Sequence, residues 1–162
     1  SLIFAYSLGK AQRILAGLDP SNGPIYAHSA IHSFLEHYQR AGIDLPAVKK
    51  VDQEKDFSGA MIIAPPAVED SSWTKKFKKT KRGFASGWMA IRGPRRRKNI
   101  DRGFILSDHA DWPGLIDVIT GTGAEVVKLT HGNGDALSRF LGERGVNASV
   151  LNESSFREEE LD

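Results

Sequence analysis

The sequence predicts an α/β fold in which short, mostly parallel strands alternate with flanking helices. Two apolar runs, residues 2–6 and 103–106, are each followed by a segment with helical periodicity, as expected for parallel strands joined by helices. A third run, residues 59–64, is apolar throughout, which indicates a strand buried on both faces of its sheet. We therefore expect two abutting lobes assembled from such strand and helix units.

The predicted helices follow from their capping residues and apolar spacing. Ser7 is a suitable N-cap for a helix over residues 8–17, and Asp111 is a suitable N-cap for a helix with Pro113 in its first turn. Residues 44–58 are polar and are predicted to connect elements with at most one helical turn. The remaining predicted elements are strands at 23–27, 125–130 and 146–151 and helices at about 29–40 and 135–144.

The composition excludes several classes of protein. The chain has 162 residues, of which 40% are hydrophobic and 26% charged, as is usual for a globular domain. It has no cysteine, so a disulfide scaffold and a thiolate zinc site are both excluded. Apolar runs stay well below the ~20 residues that cross a bilayer, and a signal-peptide pattern is missing. The cytoplasm is therefore the default location, with no membrane partner.

The positive charge is concentrated in one region. The net charge is only +2, yet 12 of the 22 Lys and Arg residues lie between Trp73 and Arg102, against one acid, Asp101. Two basic runs bracket the segment 83–88, so we expect them to converge beside His109 and His131, the histidines at the strand ends, and to bind phosphates. The alternative is a solvated basic surface. The candidate phosphate-binding residues are Lys75, Lys76, Lys78, Lys79, Arg82, Arg95, Arg96, Arg97 and Lys98.

Histidines follow two of the predicted strands. His109 comes after the run at 103–106 and His131 after the strand at 125–130, and the carboxyl ends of strands are where open α/β sheets hold their chemistry. The alternative is that each histidine is a loop or capping residue. His28, His32 and Glu36 share one helix face and could bind zinc, although a solvated or half-buried face is the preferred interpretation.

Four short motifs carry a family resemblance. They are Leu-Gly-Lys-Ala-Gln at 8–12, Ser-Gly-Trp at 86–88, Ser-Asp-His-Ala-Asp at 107–111 and Thr-His-Gly at 130–132. Together they resemble the C-terminal part of a metallo-β-lactamase-fold nuclease of the β-CASP group. The closest resemblance is to the ligase-associated DNA exonucleases, also described as mRNA 3′-end-processing-like.

The resemblance implies a division of the chain. Residues 1–102 would be a β-CASP-like region truncated at its N-terminus, and residues 103–151 would be the closing segment of the metallo-β-lactamase fold. Residues 152–162 form an acidic tail. Since the chain opens directly on an apolar strand, we expect further residues of a parent protein upstream.

The resemblance also implies roles for individual side chains. His109 would donate a proton to the leaving group, Asp108 or Asp111 would orient it or cap the helix, and His131 would bind one of two zinc ions. Ser86 would contact the substrate. The parent would act on DNA or RNA ends, with a 3′ DNA exonuclease favoured, and an ATP-dependent DNA ligase and a helicase would be its partners.

One departure from the family limits what this chain can do alone. The principal metal motif of the family, His-x-His-x-Asp-His, does not occur in the sequence. We therefore expect the chain by itself to bind no zinc pair and to hydrolyse nothing, and to contribute substrate binding. The alternatives are a non-catalytic basic nucleic-acid-binding α/β module and a structural piece with a solvated basic surface.

Overall fold

The structure, a computed structural model, describes residues 1–54, 56–77, 79–91, 100–132 and 134–151. The strands in these ranges are β1 (Leu2–Phe4), β2 (Ile25–Ala27), β3 (Val48–Lys50), β4 (Met61–Ala64), β5 (Arg82–Ala85), β6 (Arg102–Phe104), β7 (Val127–Leu129) and β8 (Ala148–Val150). The α-helices are α1 (Lys10–Ala16), α2 (Ser29–Arg40), α3 (Trp112–Gly121) and α4 (Asp135–Gly142). Short 3₁₀ helices cover Pro20–Asn22, Val51–Gln53, Pro66–Val68, Ser72–Phe77 and Gly87–Ala90. The chain divides into two compact units, Ser1–Asp108 and His109–Asp162.

The first unit contains a six-stranded sheet in the order β3-β2-β4-β1-β5-β6. Its neighbouring strands pair in parallel, with β1 at the centre between β4 and β5. The expected α/β class with mostly parallel strands and flanking helices is thus confirmed. Parallel pairing requires each connection to return to the starting edge of the sheet, so all strands begin at one edge and end at the other.

The central strands bury both of their faces, as their uninterrupted apolar sequences predict. Ile3 and Ile63 join α1 and α2 in a core on one face, where Leu15 and Ile31 are fully buried. Alternate residues of the same strands enter a second core on the other face. That core contains Leu2, Phe4, Ile62, Phe77 and Phe84.

The two outer strands differ from the expectations. The run at 103–106 was expected to be a buried strand, but β6 is an edge strand with Phe104 37% exposed, and Ile105 beyond it is 70% exposed. At the opposite edge, β3 forms within the segment expected to be a connector. Its side chains are half-buried or exposed, so hydropathy gives little sign of a strand whose stability comes from backbone pairing with β2.

The helix boundaries are partly as expected. The interval expected for α2, residues 29–40, is the one observed, with the imidazole of His28 capping its N-terminus. By contrast, Ser7 is not the N-cap of α1, which begins only at Lys10, because Gly9 takes that position with a φ of 81°. A residue without Cβ adopts this left-handed conformation at little cost.

The second unit is smaller and more exposed. Strands β7 and β8 pair in parallel, and Ser138 of α4 donates a hydrogen bond to the Ala148 carbonyl oxygen at 2.6 Å. Trp112 and Phe140 meet edge to face with ring centroids 5.0 Å apart. Among the described residues of this unit, Leu141 is the fully buried apolar side chain.

Within the described residues, each helix is too short or too polar to cross a membrane.

Candidate nucleic-acid interface

The carboxyl edge of the six-stranded sheet, where its strands end, brings together three of the motifs found in the sequence. Because β1, β5 and β6 are neighbours, the segments that follow them (5–9, 86–91 and 105–108) lie side by side. The Arg13 guanidinium donates to the Ser107 carbonyl oxygen at 3.1 Å. A Cβ added to Gly87 would lie 3.4 Å from the Cβ of Ser107. Segments separated by about 20 to 100 residues therefore form one surface.

An ion pair between Lys10 and Asp108 links two of these segments. The Lys10 ammonium lies 2.9 Å from a carboxylate oxygen of Asp108, and the two side chains are 4% and 33% exposed. Lys10 also lies over the Tyr6 ring, 4.9 Å from its centroid. A lysine this deeply buried is costly without a partner, so Asp108 compensates the charge that α1 brings to the edge.

Gly9 allows this pair to form. Its N–H donates to the Tyr38 hydroxyl at 3.2 Å, and a Cβ at this position would make only an ordinary contact of 3.5 Å with Asp108, so glycine is needed here for its backbone conformation. Its positive φ turns the chain from β1 into α1 immediately before Lys10. The signal in the sequence was a glycine between the first strand and the first helix, and the choice of Ser7 as the N-cap hid it.

Ser86 is buried at the end of β5. Its hydroxyl accepts a hydrogen bond from the Trp88 N–H at 3.3 Å, and its own N–H donates to the Phe104 carbonyl oxygen at 3.1 Å. The hydroxyl therefore caps the 3₁₀ helix Gly87–Ala90. Its contact with a substrate stays a prediction.

The second unit begins with His109 and Asp111. The Asp111 carboxylate accepts a hydrogen bond from the Gly114 N–H at 2.9 Å, so it is the N-cap of α3, as expected. His109 is exposed at the start of this unit. Its role as a proton donor, oriented by Asp108 or Asp111, stays a prediction.

His131 follows β7 in an unusual backbone conformation. Its φ is 64°, a left-handed value that side chains with a Cβ rarely adopt, and its Nδ1 lies 3.1 Å from the Thr130 hydroxyl oxygen. Such outliers cluster at functional sites, where the surrounding structure maintains them. The exposed imidazole could supply one metal ligand.

A complete metal site is not formed by the part of the chain that the structure describes, where no three His, Asp or Glu side chains group closely enough to hold an ion. On the proposed zinc face of α2, His28 instead caps the helix through Nδ1, which accepts from the Ala30 N–H at 3.1 Å. Glu36 pairs with Arg40. Burial lowers the pKa of His28. The negative charge of Asp52 has a smaller, opposite effect, and the positive charge of Lys76 lowers the pKa further. The described residues therefore do not by themselves fit a zinc pair.

The amino edge, where the strands begin, has a different character. An open cavity of about 770 Å³ lies beside Ser1, Gly59 and Lys81, at the starts of β1, β4 and β5. Its walls include the exposed side chains of Lys75, Lys76, Lys79 and Lys81 together with Asp56. Lys76 lies 3.4 Å from Asp52, and Lys81 lies 3.3 Å from Asp101. This is a predominantly positive cavity that could accept phosphate groups.

The described basic residues of the first run lie mainly at the amino edge. Lys75, Lys76, Lys79 and Lys81 line the cavity there, and Lys76 also reaches Asp52, which follows β3. The reason is topological, since the connection from the end of β4 must return to the start of β5. The expected convergence of both runs beside His109 and His131 stays a prediction. Arg82 is the first residue of β5 and is half-buried. The candidates outside the described residues are Lys78, Arg95, Arg96, Arg97 and Lys98.

Comparison with known proteins gives a relative that is much longer than this chain. A protein of Opitutus terrae (strain DSM 11246 / JCM 15787 / PB90-1), named Probable DNA ligase, is 29% identical over 154 residues. The match covers 95% of this chain and 15% of that protein. No protein-family model matches the chain, and no solved structure matches it. The chain is thus similar, over nearly its whole length, to a segment of a protein named as a DNA ligase.

Proposed function

We propose that this chain is the DNA-holding part of a larger DNA-processing protein. In its specific form, the proposal is that the parent is a zinc-dependent nuclease of the β-CASP group that acts on the 3′ ends of DNA. The chain alone binds DNA and does not hydrolyse it. The similarity to a protein named Probable DNA ligase supports a DNA-processing role, and association with an ATP-dependent ligase and a helicase belongs to the same proposal.

The observation that carries the proposal is the convergence of motifs at the carboxyl edge. Gly9-Lys10, Ser86-Gly87 and Ser107-Asp108 are far apart in the chain, and each belongs to a motif of the resemblance. The fold brings them into contact through the Lys10–Asp108 ion pair and the approach of Gly87 to Ser107. A site assembled from several strand ends is typical of α/β proteins that bind ligands at this edge.

The lysine-lined cavity supports binding of a polyanion. Lys75, Lys76, Lys79 and Lys81 surround one open depression and outnumber the described carboxylates near it, which are Asp56 in its wall, Asp52 beside Lys76 and Asp101 beside Lys81. Hydrogen bonds from the hydroxyl and N–H of Ser58 lower the pKa of Asp56, so this carboxylate is charged at neutral pH. The excess of ammonium groups favours a phosphate backbone, without selecting a base sequence.

Hydrolysis belongs, in this proposal, to the parent protein. A zinc pair would polarise the phosphodiester and generate the attacking hydroxide. His131 would be one of its ligands, and the others would come from polypeptide outside this chain. His109 would donate a proton to the leaving oxygen.

DNA binding by the isolated chain tests the first part of the proposal. Fluorescence polarisation with a labelled single strand should show affinity that falls with salt. If the four lysines neutralise about four phosphates, raising the salt from about 50 to 200 mM weakens binding roughly 50-fold. Binding that is insensitive to salt would refute the phosphate interface. Release of nucleotides by the metal-supplemented chain alone would refute the assignment of hydrolysis to the parent.

Two substitutions in the parent protein test the catalytic assignments. His131→Ala should lower both the bound zinc, measured by atomic absorption, and the rate of 3′-end degradation. His109→Ala should slow degradation while leaving the zinc content unchanged. The opposite pattern would exchange the roles of His109 and His131. If the parent had no nuclease activity, the alternative interpretation, a non-catalytic DNA-binding module, would replace the specific proposal.

A further inference from the structure

The carboxyl edge exposes large apolar side chains around its polar centre. Trp88 is 67% exposed and follows β5, while Tyr6 is 55% exposed and follows β1. Ile105, which follows β6, and Ile91 and Leu8 are also at least half exposed. Exposed rings and aliphatic groups gathered at one site usually mark a binding surface.

The segments that carry these side chains follow neighbouring strands at the carboxyl edge. Neighbouring strands are spaced by about 4.8 Å, so the ends of β1 and β6, with β5 between them, are about 10 Å apart. The segment that carries Trp88 is fixed through Ser86, whose hydroxyl accepts from the Trp88 N–H and whose own N–H donates to the Phe104 carbonyl oxygen. Tyr6 lies against Lys10, which pairs with Asp108. Leu106 packs into the core beneath them. The rings are therefore presented from a rigid base.

Positive charge accompanies the rings. The exposed Arg13 guanidinium bonds to a neutral carbonyl oxygen, that of Ser107, and so retains its full charge at this edge. Lys10 lies against the Tyr6 ring. The cores of protein–protein interfaces are depleted of charge, whereas single-stranded nucleic acids bind where aromatic rings stand beside cations.

We propose that the carboxyl edge is a stacking surface for unpaired DNA bases, with Trp88 as its principal platform and Tyr6 as its second. This inference rests on the proposed function and names its substrate class, a single-stranded end. In a duplex the base faces are covered by their neighbours, so the rings distinguish an unpaired strand from a paired one. The lysines of the amino edge make no such distinction, because both forms carry phosphates.

Substitutions of Trp88 test the proposal in the chain as it exists. Binding of a labelled oligothymidine of about 16 nucleotides, the upper site size of one OB fold, is compared with binding of a blunt duplex of equal length. Trp88→Ala should weaken single-strand binding roughly tenfold, and Trp88→Phe should restore most of it, because base–aromatic stacking needs a ring. Trp88→Leu, which keeps apolar bulk without a ring, should bind like the alanine variant. Duplex affinity should change little in all three.

The controls separate this inference from the function on which it rests. Ile43→Ala removes an exposed apolar side chain elsewhere and should leave both affinities unchanged. Full single-strand affinity in Trp88→Leu would overturn stacking, and so would equal losses of affinity for the single strand and the duplex. In either case, binding that still weakens with salt would uphold the proposed DNA interface. Failure of the unsubstituted chain to bind either DNA would refute the proposed function as well. If this apolar surface instead docks another protein, every Trp88 variant should bind single-stranded DNA as tightly as the unsubstituted chain. Thermal melts followed by circular dichroism should coincide for all variants, because Trp88 lies outside the core.

Discussion

The two edges of the six-stranded sheet have opposite characters although the same strands form both. At the amino edge, exposed lysines on one returning connection surround an open cavity. At the carboxyl edge, three separate connections meet, and the buried Lys10 pairs with the partly exposed Asp108 beside the exposed Arg13. The comparison shows that a chemically specific surface arises where several strands end together, whereas one basic connection provides positive charge without specific geometry.

The largest expected effect tests the Lys10–Asp108 pair of the carboxyl edge. Asp108→Ala leaves Lys10, whose side chain is only 4% exposed, without this carboxylate, and should lower the free energy of unfolding by about 3 kcal/mol. Lys10→Met removes the buried charge and keeps the apolar stem, and leaves Asp108 partly hydrated. This variant should change stability by less than about 1 kcal/mol.

Urea unfolding of the two single variants and the double variant measures this asymmetry. The double variant should be close to Lys10→Met, because removal of the lysine removes the need for the carboxylate. If both single variants lost the same free energy of unfolding, the pair would stabilise the fold through its attraction alone. The cost of burying the Lys10 charge would then not be the dominant effect.

The second expected effect tests the amino edge. The double substitution Lys79→Gln, Lys81→Gln should weaken DNA binding about 20-fold at about 0.1 M salt, because each lost phosphate contact removes about 0.7 from the salt slope. A matched control, Lys49→Gln with Lys50→Gln, removes the same charge from the exposed edge strand β3. The control should retain the salt slope of the unsubstituted chain. If both pairs reduce the slope equally, the net charge matters and the cavity does not.

The sequence predicts the centre of this sheet better than its periphery. Residues 59–64 are apolar throughout, so a buried strand was expected, and β4 occupies Met61–Ala64. β3 was missed because side chains such as Lys49 and Lys50 are compatible with an edge strand but do not indicate one. The apolar residues 103–106 indicated burial, whereas their exposure depends on their place at the sheet edge.

The candidate site shows the same limit. Asp111 was recognised as a cap because capping is local, and the structure places its carboxylate on the Gly114 N–H. The partnership of Lys10 with Asp108 could not be read from the sequence, because these residues are almost 100 positions apart and meet only through the strand order. The position of the first basic run likewise depends on how parallel strands are connected.

The smallest expected effect concerns pH, and it separates the edges by the groups that titrate there. His28, at the end of β2, caps α2 through an unprotonated Nδ1, and burial lowers its pKa below the ordinary 6.5. The unfolded chain therefore binds the proton first, so the stability from this group is complete above pH 6.5 and declines as the pH falls below that value. At the amino edge, hydrogen bonds from the Arg82 N–H and from Lys81 lower the pKa of Asp101 below 3.8. Its contribution is therefore lost only in more acidic solution, as the pH falls through the lowered pKa.

The variant His28→Asn separates these two titrations, because asparagine is an effective N-cap without a titrating ring. Thermal melts between pH 7 and 5 should show a smaller decline for His28→Asn than for the unsubstituted chain, while His28→Ala should lose about 1 kcal/mol at pH 7 through loss of the cap. Asp101→Asn should leave the decline between pH 7 and 5 unchanged and should alter only the strongly acidic limb. If His28→Asn lost as much stability between pH 7 and 5 as the unsubstituted chain, another group would be responsible for the loss. The two edges would then not differ in the pH at which their groups titrate.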